Sequence, residues 1–250
     1  ERYSTAAVKG LRYIISAQYP NGGWPQFWPD TSGYRKYITF NDGAMPGIMQ
    51  CLLNIVQNKP YYSFIDAGLR NEITAAFDKG VECILNCQIR QNGELTAWCQ
   101  QHDNRDLHPQ NARTFEPAAI CSQESCEILR VLMQIKNPDK RITESIRNAV
   151  GWMKKSAIHG IRVKTVEAPS EQFIYRKSAT DRIAVEDKTA PRIWTRFYDI
   201  KTNRPIFCKR SGQIVYTLAE VERERRDGYS WYNYDPEGVI KKFDKKIKKY

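Results

Sequence analysis

The sequence predicts an all-α fold: an α/α toroid of helical hairpins, of the three-hairpin α/α barrel type, with a C-terminal segment rich in loops and short strands. Three observations support this. Apolar residues recur at helical spacing over much of residues 3–156. These stretches end at turn-forming residues such as Pro, Asn and Gly. A polar and aromatic pattern also recurs 70 positions apart, as expected when a helix, a functional loop and a return helix repeat.

The predicted elements follow the chain in order. The first helix covers residues 3–18 and ends in the Tyr19–Gly23 turn. Further helices are expected at about 42–57, 70–89, 116–135, 140–156 and 218–226. Residues 160–216 scatter their apolar side chains among Pro, Arg and Asp, so we expect loops and short strands over one end of the helices.

The internal repeat has a defined register. The first copy has Gln18, then Asn21-Gly22, then Trp24, and the second has Gln88, then Asn92-Gly93, then Trp98. A third helix end, at about residues 155–158, lies almost the same distance further on. We therefore expect Trp24 and Trp98 to occupy equivalent positions in successive hairpins, near the rim of a cleft or packed beneath it.

Composition narrows the class of partner. The chain has 39 basic and 28 acidic residues, a net charge of +11, which favours nucleic acid, anionic lipid or an acidic polysaccharide. A basic surface without any partner is the alternative. No apolar run approaches the roughly 20 residues that a membrane helix needs. The seven cysteines have no paired zinc spacing and are expected to be buried thiols, with a disulfide left open.

Two acidic positions are candidate metal ligands. Asp42, in Asn41-Asp42-Gly43, stands where a helix begins, so it either caps that helix or points into a cleft as a ligand. Asp103 follows His102 in a polar loop, where the histidine alone would be an ordinary satisfied side chain. Without a His/Cys cluster a transition-metal site is not expected, whereas converging carboxylates suit calcium.

Arginines supply the other candidates. Arg113 precedes a predicted helix and either pairs with Glu116 or projects over the same cleft as Asp42. Arg196 and Arg210 lie in a stretch where arginines alternate with aromatics, a composition suited to planar carboxylates or phosphates and to sugar rings or bases. Nucleic acid is the competing ligand, but no nucleic-acid-binding signature is present.

Six separated segments together resemble polysaccharide lyase family 10, the pectate lyases with an α/α toroid. In order they are AQYPNGGWPQFWP, ITFNDGAM, WCQQHD, ARTFEP, the IWTRFYD–TNRPIF–KRSG run, and ERRDGYSWY, spanning about residues 10–235. The resemblance implies β-elimination of polygalacturonate with calcium as cofactor. Residue by residue it implies Arg113 as the proton-abstracting base, Asp42 and Asp103 as calcium ligands, and four substrate-binding residues: Asn41, His102, Arg196 and Arg210.

The resemblance also sets expectations that the residues alone do not. Family members carry an earlier helical hairpin with an aspartate thought to help bind calcium and substrate, so we expect residues 1–250 to be a single catalytic domain that lacks this N-terminal hairpin. A polymeric substrate implies a secreted, periplasmic or cell-surface monomer that binds neither nucleic acid nor membranes. Two alternatives stay open: a glycoside hydrolase using Asp42 and Asp103, and an inactive pectin-binding remnant.

Overall fold

The computed structural model describes residues 2–246, which form seven α-helices and twelve β-strands. The helices are α1 Arg2–Ser16, α2 Ala44–Val56, α3 Ala67–Cys87, α4 Ser122–Leu132, α5 Lys140–Lys155, α6 Arg223–Gly228 and α7 Asp235–Lys246. The strands are β1 Ile38–Thr39, β2 Arg90–Gln91, β3 Glu94–Leu95, β4 Gln101–His102, β5 Ile120–Cys121, β6 Ile161–Gln172, β7 Lys177–Glu186, β8 Trp194–Thr195, β9 Phe197–Tyr198, β10 Pro205–Cys208, β11 Ile214–Val215 and β12 Tyr232–Asn233.

The longer helices form two layers. Helix α3 packs against α1 and α5, while α4 packs against α2 and α7, and the contacts α2–α3, α4–α5 and α5–α7 join the layers. Two helices begin at aspartate caps: Asp66 accepts from the Leu69 amide and Asp139 from the Ile142 amide, each over 2.8 Å. The apolar faces between the layers form the main core, as the 3.6-residue spacing predicted.

The internal repeat is confirmed and occurs three times. After each helix of the first layer, one backbone amide closes the loop onto the residue preceding a tryptophan: Tyr19 to Gly23 at 2.8 Å, Ile89 to Ala97 at 2.9 Å, and Ile158 to Ile193 at 2.8 Å. Each indole then donates to a carbonyl of the preceding helix: Trp24 to Ile14 at 2.8 Å, Trp98 to Ile84 at 2.7 Å, and Trp194 to Met153 at 2.7 Å. Trp24 and Trp98 are therefore equivalent, and both are buried beneath the surface.

The prediction of an all-α toroid is wrong. The chain is 43% helical and 20% strand, and it carries several antiparallel sheets. Residues 161–186 form the long ribbon β6–β7, and β11-β10-β9-β5 form a four-stranded sheet with its own apolar cluster. β-branched residues recur along this ribbon, and the sheet joins β5 to strands more than 70 residues away, pairings that helical periodicity does not detect.

One predicted helix starts later than expected. Helix α4 begins at Ser122 rather than near Glu116, because residues 120–121 form β5 and pair with β9. Residues 113–119 consequently form a turn that leads into the sheet, and Arg113 stands on its exposed part. Throughout residues 2–246, no helix has both the length and the apolar character needed to cross a bilayer.

Candidate active site

Arg113 is held by a buried glutamate three residues further along the chain. Its Nε donates to Glu116 Oε2 over 2.8 Å and its Nη2 donates to Oε1 over 2.5 Å. Glu116 is 1% exposed, and Tyr229 Oη also donates to its Oε1 over 3.1 Å. Burial alone would raise the pKa of Glu116, but the bonds from Arg113 outweigh it and lower that pKa. Of the two alternatives that the sequence offers for Arg113, the pairing with Glu116 is present, and its two bonds fix the plane of the guanidinium.

Arg196 lies at the centre of the site and is buried. Its Nη2 donates to Asn41 Oδ1 over 2.8 Å and to Glu124 Oε1. Its Cζ lies 4.8 Å from the centroid of the Tyr229 ring. Burial opposes its charge, but the Glu124 carboxylate more than compensates and raises the pKa of Arg196. In this structure the amide of Asn41 therefore positions Arg196.

Arg210 reaches the same site from the loop between β10 and β11. Its Nε and Nη2 donate to the two oxygens of Glu224 over 3.0 and 2.7 Å. Arg113 and Arg210 share one ring: their Cζ atoms lie 4.9 and 5.7 Å from the centroid of Phe115. Phe115 in turn packs edge-on against Tyr229, with 6.2 Å between the ring centroids. The three predicted arginines thus surround one pair of aromatic rings.

Asp42 stands beside this cluster at the start of α2. Its backbone is in the left-handed region, with φ of 53°, and its side chain is exposed. The charge of Asp42 contributes to raising the pKa of Arg113, after the larger effect of Glu116. Glu127 of α4 lies close by. Its Oε2 is buried without a hydrogen-bond partner in the part of the chain that the structure describes, and it lies 3.5 Å from where a Cβ on Gly43 would be. Burial, followed by the charge of Glu124, raises the pKa of Glu127.

His102 and Asp103, expected as a substrate-binding residue and a calcium ligand, form hydrogen bonds with nearby residues of the chain. His102 is fully buried: its Nε2 accepts from the Cys99 amide at 3.2 Å and its Nδ1 lies 2.8 Å from the Leu107 carbonyl oxygen. Burial lowers its pKa to about 4. Asp103 accepts from the Arg105 amide over 2.8 Å within its own turn. Both residues therefore shape the loop that follows β4.

The strand register separates Asp103 from Asp42. In the antiparallel β1–β4 pair, Ile38 is opposite His102 and Thr39 is opposite Gln101. Asp42 follows the end of β1 and Asp103 follows the end of β4, so the two carboxylates leave the pair at opposite ends. This register does not bring the side chains of Asp42 and Asp103 together, so it gives no support to the expectation that both bind one calcium ion.

Comparison with known proteins decides the family. A family model described as pectic acid lyase matches residues 1–240. The chain belongs to this family. Two solved structures of a family 10 polysaccharide lyase from Cellvibrio cellulosa are similar to this lyase, each with 29% sequence identity, covering 98% of this chain and 73% of the other. Their TM-scores are 0.87 and, for a mutant in complex with trigalacturonic acid, 0.86. No curated protein sequence matches the chain.

The expectation of a family 10 pectate lyase is thereby confirmed, and this chain is a polysaccharide lyase. The arginine cluster contains a further residue that the sequence does not single out. Arg225, in α6, is 8% exposed, and its Cζ lies 3.7 Å from the Phe115 centroid and 4.6 Å from the Tyr229 centroid. In the sequence it belongs to the charged run ERERRDG, which is typical of a solvated helix face.

A further arginine, Arg182, reaches the edge of the site. It lies on β7, and its Nη1 donates to the Tyr229 carbonyl oxygen over a long 3.4 Å. The ribbon that carries it is fixed to α6 through Asp227, which accepts from Ser178 and Arg176 over 2.7 Å each. The ribbon and α6 therefore form one side of the arginine cluster.

Proposed function

We propose that this lyase cleaves polygalacturonate by calcium-assisted β-elimination, with Arg113 as the base that removes the C5 proton. The observation that carries the proposal is the convergence of Arg113, Arg196 and Arg210 on the Phe115–Tyr229 ring pair, beside Asp42. Each of the four comes from a different loop. An arginine-rich site of this kind suits a substrate with one carboxylate on every sugar.

The chemistry explains why cations are needed. The C5 hydrogen of galacturonate is α to a carboxylate and only very weakly acidic. Its removal builds further negative charge on that carboxylate while the C4 oxygen leaves. Fixed cations aimed at the position where this charge develops lower the barrier. We assign that role to Arg196, which its buried carboxylate partner holds rigidly, and to Arg210, which reaches the cluster from a separate loop.

Arg113 has one nitrogen available for the proton. In the described part of the chain its Nε and Nη2 are bonded to Glu116, which leaves Nη1. An ordinary arginine has a pKa of about 12.5 or more, and Glu116 raises that of Arg113 further. The neutral, proton-accepting form is therefore scarce at neutral pH and grows as the pH rises. Arg210 and Arg225, on the same ring, favour the neutral form by repulsion.

Asp42 and Glu127 are the residues that would hold calcium. Both offer carboxylate oxygens, which calcium prefers, and the buried Glu127 Oε2 has no hydrogen-bond partner among residues 2–246. Among residues 2–246 no three His, Cys, Asp or Glu side chains form a metal site unaided, so the remaining ligands would be substrate and water oxygens. When bound, calcium would supply positive charge that stabilises the substrate carboxylate as the C5 proton leaves.

The alternatives predict different products. A glycoside hydrolase needs two carboxylates about 5–9.5 Å apart across the bond, whereas Asp42 and Asp103 leave opposite ends of a strand pair. A pectin-binding remnant would give no product. The test is ultraviolet absorbance of polygalacturonate digests, with and without a chelator. Elimination leaves an absorbing C4–C5 double bond, whereas new reducing ends without added absorbance would establish hydrolysis and overturn the proposal.

The substrate and setting follow from the same chemistry. We propose polygalacturonate or pectin oligosaccharides as substrates, in line with the trigalacturonic acid bound to the similar Cellvibrio lyase. Because such polymers lie outside cells, we propose a secreted, periplasmic or cell-surface location. We also propose that the enzyme is a monomer. The net charge of +11 favours association with an anionic polymer.

A further inference from the structure

In the described part of the chain, one arginine of the cluster lacks a carboxylate partner of its own. Three of its arginines each have their own glutamate: Arg113 with Glu116, Arg196 with Glu124, and Arg210 with Glu224. Arg225 lies on the same Phe115 ring and has no such partner in the described part of the chain. Its Nε and Nη2 are buried without any hydrogen-bond acceptor. Among the described residues, Arg225 is therefore a buried cation of the cluster to which no carboxylate is bonded.

The position of Arg225 is fixed by its surroundings. Its amide donates to the Glu222 carbonyl oxygen over 2.9 Å, and Trp231 Nε1 donates to the Arg225 carbonyl oxygen over 3.0 Å. Three rings surround its guanidinium, with centroids 3.7 Å (Phe115), 4.6 Å (Tyr229) and 5.9 Å (Trp231) from Cζ. Ring faces attract a cation but only partly replace the water that burial removes.

Arg225 is also close to the proposed base. Arg113 Cζ and Arg225 Cζ lie 4.9 and 3.7 Å from the same ring centroid, so they are at most about 9 Å apart. This is comparable to the Debye length of about 8 Å at physiological salt, and burial weakens screening further. An anion that neutralises Arg225 must therefore lie within or beside the space where the reacting sugar is bound.

We infer that Arg225 is a substrate-recognition residue: a galacturonate carboxylate, bound through Nη1, supplies the counter-charge that the protein leaves out. The inference rests on the proposed function, and adds a fourth arginine to the carboxylate-binding set. An ordinary arginine is protonated at neutral pH, so the site is charged before the substrate arrives. Burial, and then repulsion from Arg210 and Arg113, lowers the pKa of Arg225, as expected for a cation that lacks an anion.

A purely structural role is the competing explanation, because an arginine between aromatic rings also fills space. Arg225→Met separates the two roles, since methionine has similar length and packs well against rings but has no charge. If Arg225 only packs, the variant binds the substrate as the parent protein does. If Arg225 recognises a carboxylate, the variant binds acidic oligosaccharides less tightly, while neutral ones are unaffected.

The experiment measures the dissociation constant by calorimetry for trigalacturonate and for neutral galactotriose, in chelator so that the proposed reaction does not run. We expect Arg225→Met to weaken trigalacturonate binding by about tenfold or more, from the loss of a charge-assisted contact, and to leave galactotriose unchanged. Arg141→Met is the matched control. It removes the same charge from the half-exposed pair that Arg141 of α5 makes with Glu82 of α3, away from the cluster, and should change neither value.

Thermal unfolding and a second variant separate the two roles further. If Arg225 recognises a carboxylate, removing its buried charge in Arg225→Met should not lower Tm. A purely structural role predicts a lower Tm and an unchanged affinity of the folded molecules for trigalacturonate. Arg225→Gln replaces Arg225→Met if the latter does not fold. Unchanged trigalacturonate affinity in a folded variant, or an equal loss for galactotriose, would overturn the inference while the lyase function stands. A parent protein that neither binds trigalacturonate nor forms unsaturated product would instead overturn the proposed function.

Discussion

Glu116→Gln tests how the site controls its base. Glu116 accepts two hydrogen bonds from Arg113 and stabilises the charged guanidinium, so it raises the pKa of Arg113. Glutamine removes the charge but keeps the shape and can still accept from Tyr229. The pKa of Arg113 should then fall. A base acts in its deprotonated form, so the rise of kcat with pH should shift to lower pH in the variant.

The size of this shift follows from the contact. A hydrogen bond to a charged group contributes roughly 1.5–3 kcal/mol, and the Arg113 side chain is 49% exposed, which calls for the lower end. A change of about 1.4 kcal/mol corresponds to one pKa unit. We therefore expect the rise of kcat with pH to occur about one pH unit lower in Glu116→Gln. The highest rate should fall as well, because the guanidinium is held less firmly.

The assay is the initial rate of double-bond formation on saturating polygalacturonate across the neutral and alkaline range. Glu224→Gln is the matched control: it removes the equivalent bidentate partner of Arg210 and should raise KM without moving the rise of kcat with pH. If the rise of kcat with pH stays in place or moves to higher pH in Glu116→Gln, the assignment of Arg113 as the titrating base is refuted.

Three further outcomes are expected. Arg196→Ala leaves Glu124 buried and unpaired, so the free energy of unfolding should fall by about 3–5 kcal/mol and KM should rise; an unchanged Tm would contradict the buried pair. His102 is neutral and buried with a pKa of about 4, against 6.5 unfolded. Below pH 6.5 the imidazole of His102 takes up a proton in the unfolded chain but not in the folded one. About 3 kcal/mol of the free energy of unfolding should therefore be lost between pH 6.5 and 4, and His102 should cause no further loss below pH 4. Chemical denaturation across this range would show no such loss if His102 were exposed. Chelation should abolish turnover, added calcium should restore it, and Asp42→Asn should need more calcium; full activity in chelator would exclude the calcium assignment.

Local patterns predicted much of the helical part. Apolar spacing located five helices, and the Gln–Asn-Gly–Trp pattern correctly paired Trp24 with Trp98, because both signals lie within a few turns of one helix and its loop. The third copy of the repeat departs from this pattern. Between Ile158 and Trp194 the ribbon β6–β7 is inserted, and Trp194 lacks the preceding Asn-Gly pair of the other two.

Contacts distant in sequence explain what was missed. The strand pairing β5–β9 joins residues more than 70 positions apart and moves the start of α4 to Ser122. The buried Glu124 and the partly buried Glu224 look like ordinary polar residues of amphipathic or charged helices, and Arg225 looks like one charge in a solvated run. Only the packing of α6 against the ribbon and the Phe115–Tyr229 rings distinguishes Arg225 from its neighbours.

The most direct test of the central claim is the steady-state kinetics of Arg113→Ala and Arg113→Lys on polygalacturonate. If Arg113 takes the C5 proton, alanine should remove turnover and leave substrate affinity largely intact, because proton transfer belongs to the transition state. Lysine should restore little, since it keeps a charge but loses the planar fork that Glu116 orients. Arg141→Ala, at a surface pair, should retain the parent rate. A near-normal kcat in Arg113→Ala would contradict the account and leave Arg182 as the next candidate base.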